Sequence, residues 1–174
     1  MRTGLFAAGF LNMLERTPEC PIAEAALMLR HTSAGGWNNA FINFDRRGWY
    51  YAPNAVVFKL WSESRLPRRI ALEGASGPLD CVACASADGR RLTVKVVNTQ
   101  TEPVPLALRL PQGFAICRAR SVFAPSLDAK NTMESPDAVA IRELEFTASS
   151  LIIPAFSATV VEACRGRPKS MAAY

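Results

Sequence analysis

The sequence predicts a mixed fold, in which a helix–strand–helix segment of α/β type precedes an antiparallel β-sandwich. Apolar residues recur at helical spacing in two early segments, and a short apolar run lies between them. From about residue 69, apolar and polar residues alternate between turn signals. The chain of 174 residues is 49% apolar and 20% charged, as a globular protein should be. We therefore expect units at 1–64 and 69–166, followed by a flexible tail at 167–174.

The first unit begins with a predicted amphipathic helix. Thr3 is a suitable N-cap, and Phe6, Phe10 and Met13 recur at helical spacing. We expect this apolar stripe to pack into the core. The basic start and the apolar run are similar to a signal peptide, but no small-x-small cleavage site follows them. No signal peptide is evident, and the compartment stays open.

A strand and a second helix are predicted after this helix. The apolar run at 22–29 lies between a proline and a Gly-rich turn, which favours a buried strand, and 41–45 is a brief alternating segment. Because one strand cannot form a sheet, this half is expected to lack partners for it. Pro53 is well suited to the first position of a helix. The apolar side of that helix consists of Val56, Val57, Leu60 and Trp61.

The second unit contains a predicted β-hairpin. Segments 79–87 and 90–98 flank Asp88-Gly89, the residue pair preferred in a type I′ turn. Pro103 and Pro105 would suit an edge strand, since proline donates no hydrogen bond to a neighbour. Further strands are predicted at 104–110, 116–123, 139–146 and 157–164.

The charge pattern argues against two classes of partner. The formal net charge is +5, but the twenty basic residues are dispersed, and no aromatic residues are interleaved with them as in a base-stacking surface. The longest strongly apolar run, at 4–11, is far shorter than the roughly 20 residues of a membrane span. We therefore expect a soluble protein that binds neither nucleic acid nor membrane.

The cysteines predict neither a complete disulfide framework nor a metal site. Their number, five, is odd. Cys81 and Cys84 have the spacing of half a zinc site, but no second pair exists, and His31 is the only histidine. Buried thiols in a strand are the better interpretation. No metal and no cofactor are expected.

Short motifs follow one another through nearly the whole chain. The first half contains Gly4–Leu11 with Glu15-Arg16, Ile22–Leu29, Trp37, Phe41–Asp45, Ala52-Pro53-Asn54 and Lys59–Ser62. The second half contains Asp88-Gly89-Arg90, Val96-Val97-Asn98 and Asn131–Val139, the last being the most specific. In this order they resemble the carboxy-terminal third of α-L-arabinofuranosidases of glycoside hydrolase family 51.

The resemblance implies a fold and a function. The first 64 residues would be the partial end of a (β/α)₈ barrel, with its last strand and helices, and the second unit a jelly-roll-like β-sandwich. The chain would be the carboxy-terminal portion of an enzyme that hydrolyses terminal non-reducing α-L-arabinofuranosyl residues in arabinose-containing polysaccharides. Its partners would be that glycan and an upstream catalytic barrel segment. At 26–30 the sequence departs from the family pattern, so no substrate contact is transferred there.

The catalytic residues of such an enzyme are missing from the sequence. A complete barrel takes roughly 250 residues, and a retaining glycosidase needs two carboxylates about 5 Å apart. The resemblance places these glutamates in Asn-Glu and Glu-Trp contexts, and neither dipeptide occurs here. Glu15, Glu19, Glu24 and Asp45 match neither context, and Glu15 is better explained as a helix-surface charge beside Arg16. We assign no catalytic residue and expect the isolated chain to be inactive.

One substrate-binding candidate remains, together with two other classes of function. Trp37 would follow the eighth strand at the carboxyl face of the barrel, where its ring could stack on a sugar or simply pack at the rim. A catalytic triad of His31, Ser33 and Asp45 is not supported by spacing alone. The alternatives are a non-catalytic carbohydrate-binding or interaction module built on the sandwich, and a truncated reading frame. The exact glycan and the oligomeric state stay open.

Overall fold

A computed structural model of the chain describes residues 1–17, 27–36, 40–74 and 77–166. The predicted tail at 167–174 lies outside the described residues. In chain order the elements are α1 (Arg2–Arg16), β1 (Leu29–His31), β2 (Ile42–Asp45), β3 (Gly48–Tyr51), α2 (Pro53–Glu63), β4 (Arg68–Ile70), β5 (Leu79–Ala85), β6 (Arg91–Asn98), β7 (Val104–Ala107), β8 (Phe114–Phe123), β9 (Ile141–Glu143), β10 (Ser150–Ile153) and β11 (Ser157–Arg165).

The largest sheet in the described residues is six-stranded and antiparallel, in the order β4-β5-β6-β11-β8-β9. Its centre is β11, which pairs with both β6 and β8. Strands β7 and β10 form a separate antiparallel pair. The predicted strands at 79–87, 90–98, 116–123 and 157–164 are confirmed within two residues at each end, whereas 104–110 shortens to β7 and 139–146 to β9.

Both faces of this sheet are covered. On the helix face, the two helices share a core with alternate residues of the strands; the members include Leu5, Leu11, Val57, Leu60, Val97, Val122 and Val160. On the opposite face, β7 and β10 cover a second core, which includes Val94, Val96, Ile116, Leu151 and Val161. Two helices and mostly antiparallel sheets therefore form a β-sandwich with a helical layer.

The apolar stripe predicted to lie in the core is on the wrong side of α1. Phe6 is 77% exposed, Phe10 44% and Met13 45%. The buried side carries smaller residues, including Gly4, because α1 packs closely on α2: a Cβ on Gly4 would lie 3.2 Å from the carbonyl oxygen of Pro53. The predicted cap is also wrong, since the helix begins at Arg2 and Thr3 lies inside it. Helical spacing fits both stripes, and the size of the side chains decides which one faces a neighbour.

The first half has more strand structure than predicted. Of the strand predicted at 22–29, residues 22–26 lie outside the described residues, and the described strand is β1 at Leu29–His31. It does not lack partners, because β1 pairs in parallel with β2, and β2 forms an antiparallel hairpin with β3. The prediction for α2 is confirmed, with Pro53 at its start and its apolar side buried.

The β5–β6 hairpin is confirmed, but its predicted turn type is wrong. Type I′ requires positive φ at both central residues. Gly89 has φ 67°, whereas Asp88 is not in that region. Instead, the carbonyl of Ser86 accepts the amide hydrogen of Gly89 at 3.0 Å, and the Asp88 carboxylate accepts the amide hydrogen of Arg90 at 3.0 Å. The aspartate is therefore a turn-stabilising acceptor in a longer connection.

Candidate functional site

The carboxyl ends of β1 and β2 form the candidate rim of the site. Because the two strands are parallel, these ends meet at one edge of the small sheet, where His31 pairs with Phe44. The His31 ring stands edge-on to the Phe44 ring, with 5.4 Å between centroids. The carboxyl ends of parallel strands are where α/β folds place their binding residues. Trp37, the substrate-binding candidate, belongs to the connection beyond β1 and lies outside the described residues.

His31, Ser33 and Asp45, whose spacing alone did not support a triad, do not assemble into one. The Ser33 hydroxyl lies 2.8 Å from Nδ1 of His31, and the Ser33 amide also donates to that nitrogen. Asp45 instead accepts hydrogen bonds from Thr32 and from Arg47. In the described structure no contact joins Asp45 to His31, so the orienting carboxylate of a triad is missing.

Arg47 bridges two carboxylates at this rim. Its guanidinium lies 3.0 Å from Asp45 and 2.9 Å from Glu134. Hydrogen bonds from Arg47 hold the pKa of Asp45 below its usual value. A backbone amide and then Arg47 lower the pKa of Glu134. The acid of a glycosidase has a raised pKa, which is the opposite of the direction found for Asp45 and Glu134.

Glu15 is not the solvated surface charge that the sequence suggested. Its carboxylate forms an ion pair with the ammonium group of Lys95, whose side chain is only 1% exposed, and accepts a hydrogen bond from the Cys84 thiol. The ammonium group also lies 5.9 Å from the centroid of the Trp61 ring. Glu15 therefore neutralises a cation at the junction of α1 and the large sheet, which is a structural role.

Polar contacts continue this junction. The indole of Trp61 donates to the side-chain oxygen of Asn12 at 3.2 Å, and the amide of Asn12 donates to the carbonyl of Asp80 at 3.2 Å. The carboxylate of Asp80 pairs with Arg16 at 2.6 Å. Helix α1 is thus joined to β5 by directional contacts as well as by apolar packing.

Arg120 forms a second buried charge cluster on the helix face. Its side chain is 9% exposed and pairs with Glu63 at 2.7 Å and with Glu162 at 3.3 Å. Sequence reasoning missed Lys95 and Arg120, and it did not consider Glu63. For Lys95 the available signal was a cation inside a nearly continuous apolar strand, which points to burial on both faces.

Two asparagines explain the motifs of the second half. Asn131 donates to the carbonyls of Tyr51 and Val139 and accepts the amide hydrogen of Val139, so it fixes a loop of the sandwich against β3. Asn98 is fully buried and donates to the carbonyls of Glu102 and Pro154. Both amides satisfy buried backbone groups of long connections. Their role is in the fold rather than in binding.

The cysteines are structural in the described residues. Cys117 and Cys164 form a disulfide between β8 and β11. Cys81 packs into the core beneath β7 and β10, whereas Cys84 contacts Glu15 on the helix face. The two thiols that have the spacing of half a zinc site therefore lie on opposite faces of the large sheet. Burial raises the pKa of each to about 11, so neither is an activated nucleophile. No metal-binding group of three acidic, His or Cys side chains occurs in the described residues.

The first half exposes two apolar surfaces. The outer stripe of α1 consists of Phe6, Phe10 and Met13. The open face of the small sheet consists of Leu29 (60% exposed), Phe44 (38%), Trp49 (58%) and Tyr51 (38%), which strand pairing places on one side. Contiguous exposed apolar surfaces on a folded chain mark sites of contact with another protein segment, a membrane or a ligand.

Solved structures with a similar architecture include family 51 α-L-arabinofuranosidases. The α-L-arabinofuranosidase from Thermotoga maritima superposes with a TM-score of 0.72 at 23% identity, over 91% of this chain and 37% of its own. That from Thermotoga petrophila gives 0.71 at 24% identity, with the same coverages. An arabinose-bound family 51 α-L-arabinofuranosidase gives 0.79 at 20% identity, over 94% of this chain and 27% of its own.

The chain has the fold of a carboxy-terminal piece of these enzymes. It spans only about a third of the length of these family 51 structures. No protein-family model matches the sequence, and no curated protein matches it. Neither described helix of this family 51-like chain is long and apolar enough to cross a membrane.

Proposed function

We propose that the chain is the carboxy-terminal portion of an α-L-arabinofuranosidase, which hydrolyses terminal non-reducing α-L-arabinofuranosyl residues in arabinose-containing polysaccharides. One observation carries the proposal: the fold match covers more than nine-tenths of this chain but about a third of the neighbouring enzymes. The two catalytic carboxylates would come from an upstream barrel segment. This chain would provide the partial barrel end at 1–64 and the jelly-roll-like sandwich at 69–166.

The exposed apolar surfaces support an upstream partner of this kind. The outer stripe of α1 and the open face of the small sheet both belong to the unit at 1–64. A neighbouring barrel helix would cover the first, and the interior of a closed barrel would cover the second. Within the described residues β1 pairs only with β2, so its other edge is available to a further strand.

Three carboxylates of the chain are held in ion pairs, which supports a source of the catalytic carboxylates outside it. Glu15 is held by Lys95, Glu63 by Arg120, and Asp45 by Arg47. Each is fixed by a cation on this chain and is not part of a facing acid–nucleophile pair. We therefore propose that groups outside the chain protonate the leaving group and capture the sugar.

A stand-alone carbohydrate-binding module is less well supported. Sugar-binding surfaces use aromatic rings that stack on the sugar. In the described part of the sandwich, the large exposed apolar side chains are Ile70 and Ile152, and no aromatic ring is among them. The exposed rings lie in the first unit, where the barrel would be completed.

Complementation tests the function. The isolated chain should not hydrolyse an aryl α-L-arabinofuranoside. Fusion in frame to the upstream part of a related enzyme, carrying both glutamates, should restore turnover. The same fusion with the nucleophile glutamate changed to Gln is the matched control and should be inactive. A fusion that folds but stays inactive would contradict the proposal, and so would turnover by the isolated chain.

Trp37 is proposed to contact the sugar at the barrel rim. In the fusion, Trp37→Ala should raise KM or lower kcat/KM without changing the melting temperature, because stacking is lost and the fold is not. Ile152→Ala, which truncates an exposed side chain of the sandwich, should leave KM unchanged. A parallel loss of stability in Trp37→Ala would assign Trp37 to rim packing instead.

A further inference from the structure

Four arginines that are scattered in the sequence meet at one end of the large sheet. Arg90 and Arg91 follow the β5–β6 turn, and the amide of Arg165 at the end of β11 donates to the carbonyl of Arg90 at 2.9 Å. Arg68 of β4 reaches the same turn, where its guanidinium donates to the carbonyl of Ser86 at 2.6 Å. We call this group of four residues the arginine end. It extends across β4, β5, β6 and β11, about 14 Å at the usual strand spacing.

The charge of the arginine end is compensated only in part within the described structure, by the Asp88 carboxylate, which interacts electrostatically with Arg90 and Arg91. All four side chains are exposed, and none forms an ion pair with a described carboxylate. The guanidinium groups of Arg90, Arg91 and Arg165 have no hydrogen-bond acceptor among the described residues either. Asp88 is the carboxylate of this turn, and it already accepts hydrogen bonds from Ser86 and from the amide of Arg90. Elsewhere, exposed arginines such as Arg2 and Arg118 do have carboxylate partners.

We propose that the arginine end binds a polysaccharide that carries uronic-acid carboxylates. The guanidinium group is a planar fork that matches a carboxylate with two parallel hydrogen bonds, and all four cations here are arginine rather than lysine. A row of such forks along a sheet end suits a polymer with repeated carboxylates better than a single small anion.

The identity of the polymer rests on the proposed function. A terminal arabinofuranosyl residue is neutral, so the arginine end would hold another part of the same polysaccharide, away from the barrel unit. A single-stranded nucleic acid fits less well, because no large aromatic side chain is exposed in the described part of the sandwich to stack on bases.

Binding to sodium polygalacturonate, measured by titration calorimetry on the full 174-residue chain, tests the proposal directly. The chain should bind polygalacturonate but not neutral arabinan. The variant Arg90→Gln/Arg91→Gln/Arg165→Gln should bind about 10-fold more weakly, since three exposed ion pairs are lost. The control Arg46→Gln/Lys59→Gln/Lys130→Gln removes the same charge from exposed positions elsewhere and should change Kd less than about twofold.

Other results would overturn the proposal. Failure to bind polygalacturonate, equal loss in the two triple variants, or tighter binding of duplex DNA through the same arginines would each do so. Circular dichroism of both variants establishes that they are folded. This experiment measures binding and not turnover, so it fails independently of the proposed function. If the fusion enzyme is inactive but the arginine end binds polygalacturonate, only the proposed function is wrong. If the fusion is active but the arginine end does not bind, only the present proposal is wrong.

Discussion

At position 89 the backbone conformation, rather than a lack of space, requires glycine. Gly89 has φ 67°, and a Cβ there would meet only the Arg68 guanidinium, at 3.6 Å. A β-branched side chain is strained in this region, whereas asparagine tolerates it. Gly89→Val should lower the free energy of unfolding by about 1–3 kcal/mol. Gly89→Asn should cost much less in the same denaturant titration, and equal costs would show that φ is not the cause.

The buried ammonium group of Lys95 makes its partner indispensable. Lys95 is 1% exposed and Glu15 24%, so loss of the carboxylate leaves a cation with little access to water. Glu15→Gln should destabilise the chain by about 3 kcal/mol. Glu15→Gln/Lys95→Met removes the charge as well and should be more stable than the single variant. Glu134→Gln, which breaks an exposed pair with Arg47, is the control and should destabilise the chain much less. A double variant less stable than the single one would contradict this account.

Helix α1 has two apolar stripes, of which one is packed against the core and the other is exposed. The inner stripe, which includes Leu5 and Leu11, packs on the large sheet and α2, whereas the outer stripe is exposed. Phe6→Ser/Phe10→Ser should therefore change the stability of the isolated chain by no more than about 0.5 kcal/mol. Leu5→Ala, the matched inner change, should cost about 2–5 kcal/mol.

The same pair of variants tests whether an upstream barrel segment covers the outer stripe of α1. In the fusion with an upstream barrel segment, Phe6→Ser/Phe10→Ser should lower the melting temperature, because a new neighbour now buries both rings. Differential scanning calorimetry of the isolated chain and the fusion measures both effects. An outer stripe without effect in the fusion would mean that the barrel segment does not cover it.

Some elements could be predicted because a local signal specifies them. Pro53 and four apolar residues at helical spacing define α2, and alternation about a turn defines β5 and β6. Strand β4 gave no such signal, because Arg68–Ile70 is exposed throughout and exists only by pairing with β5. The orientation of α1 and the burial of Lys95 depend on which element packs opposite, and this information is distant in sequence. At the site, the role of Trp37 stays a prediction, and the Arg47 bridge could not be predicted because its partner Glu134 lies 87 residues away.

At the scale of the whole molecule, the core crosses the predicted boundary between the two units. Leu60 and Trp61 pack in the same cluster as Val97, Val122 and Val160 of the sandwich. The large sheet still has paired strands and a second core beneath β7 and β10, so it retains what a sheet needs to fold without the helices. The division into two units at 64–69 thus stays a prediction, and separation of the units should lower the stability of the sandwich.

A fragment of residues 69–166 should fold, but less stably than the whole chain. Removal of 1–64 uncovers the helix face of the sheet and leaves Lys95 without Glu15 and Arg120 without Glu63. The fragment should keep its β circular-dichroism spectrum, bind a dye for exposed apolar surface, and unfold at lower denaturant concentration. Lys95→Met/Arg120→Met in the fragment should recover part of the lost stability, because two unpaired cations are removed.

In the intact chain, limited proteolysis with mass spectrometry should cut within 1–64 before it cuts within 79–164. Early cuts inside 79–164, or a fragment as stable as the whole chain, would show that the helices and the sandwich do not divide in this way.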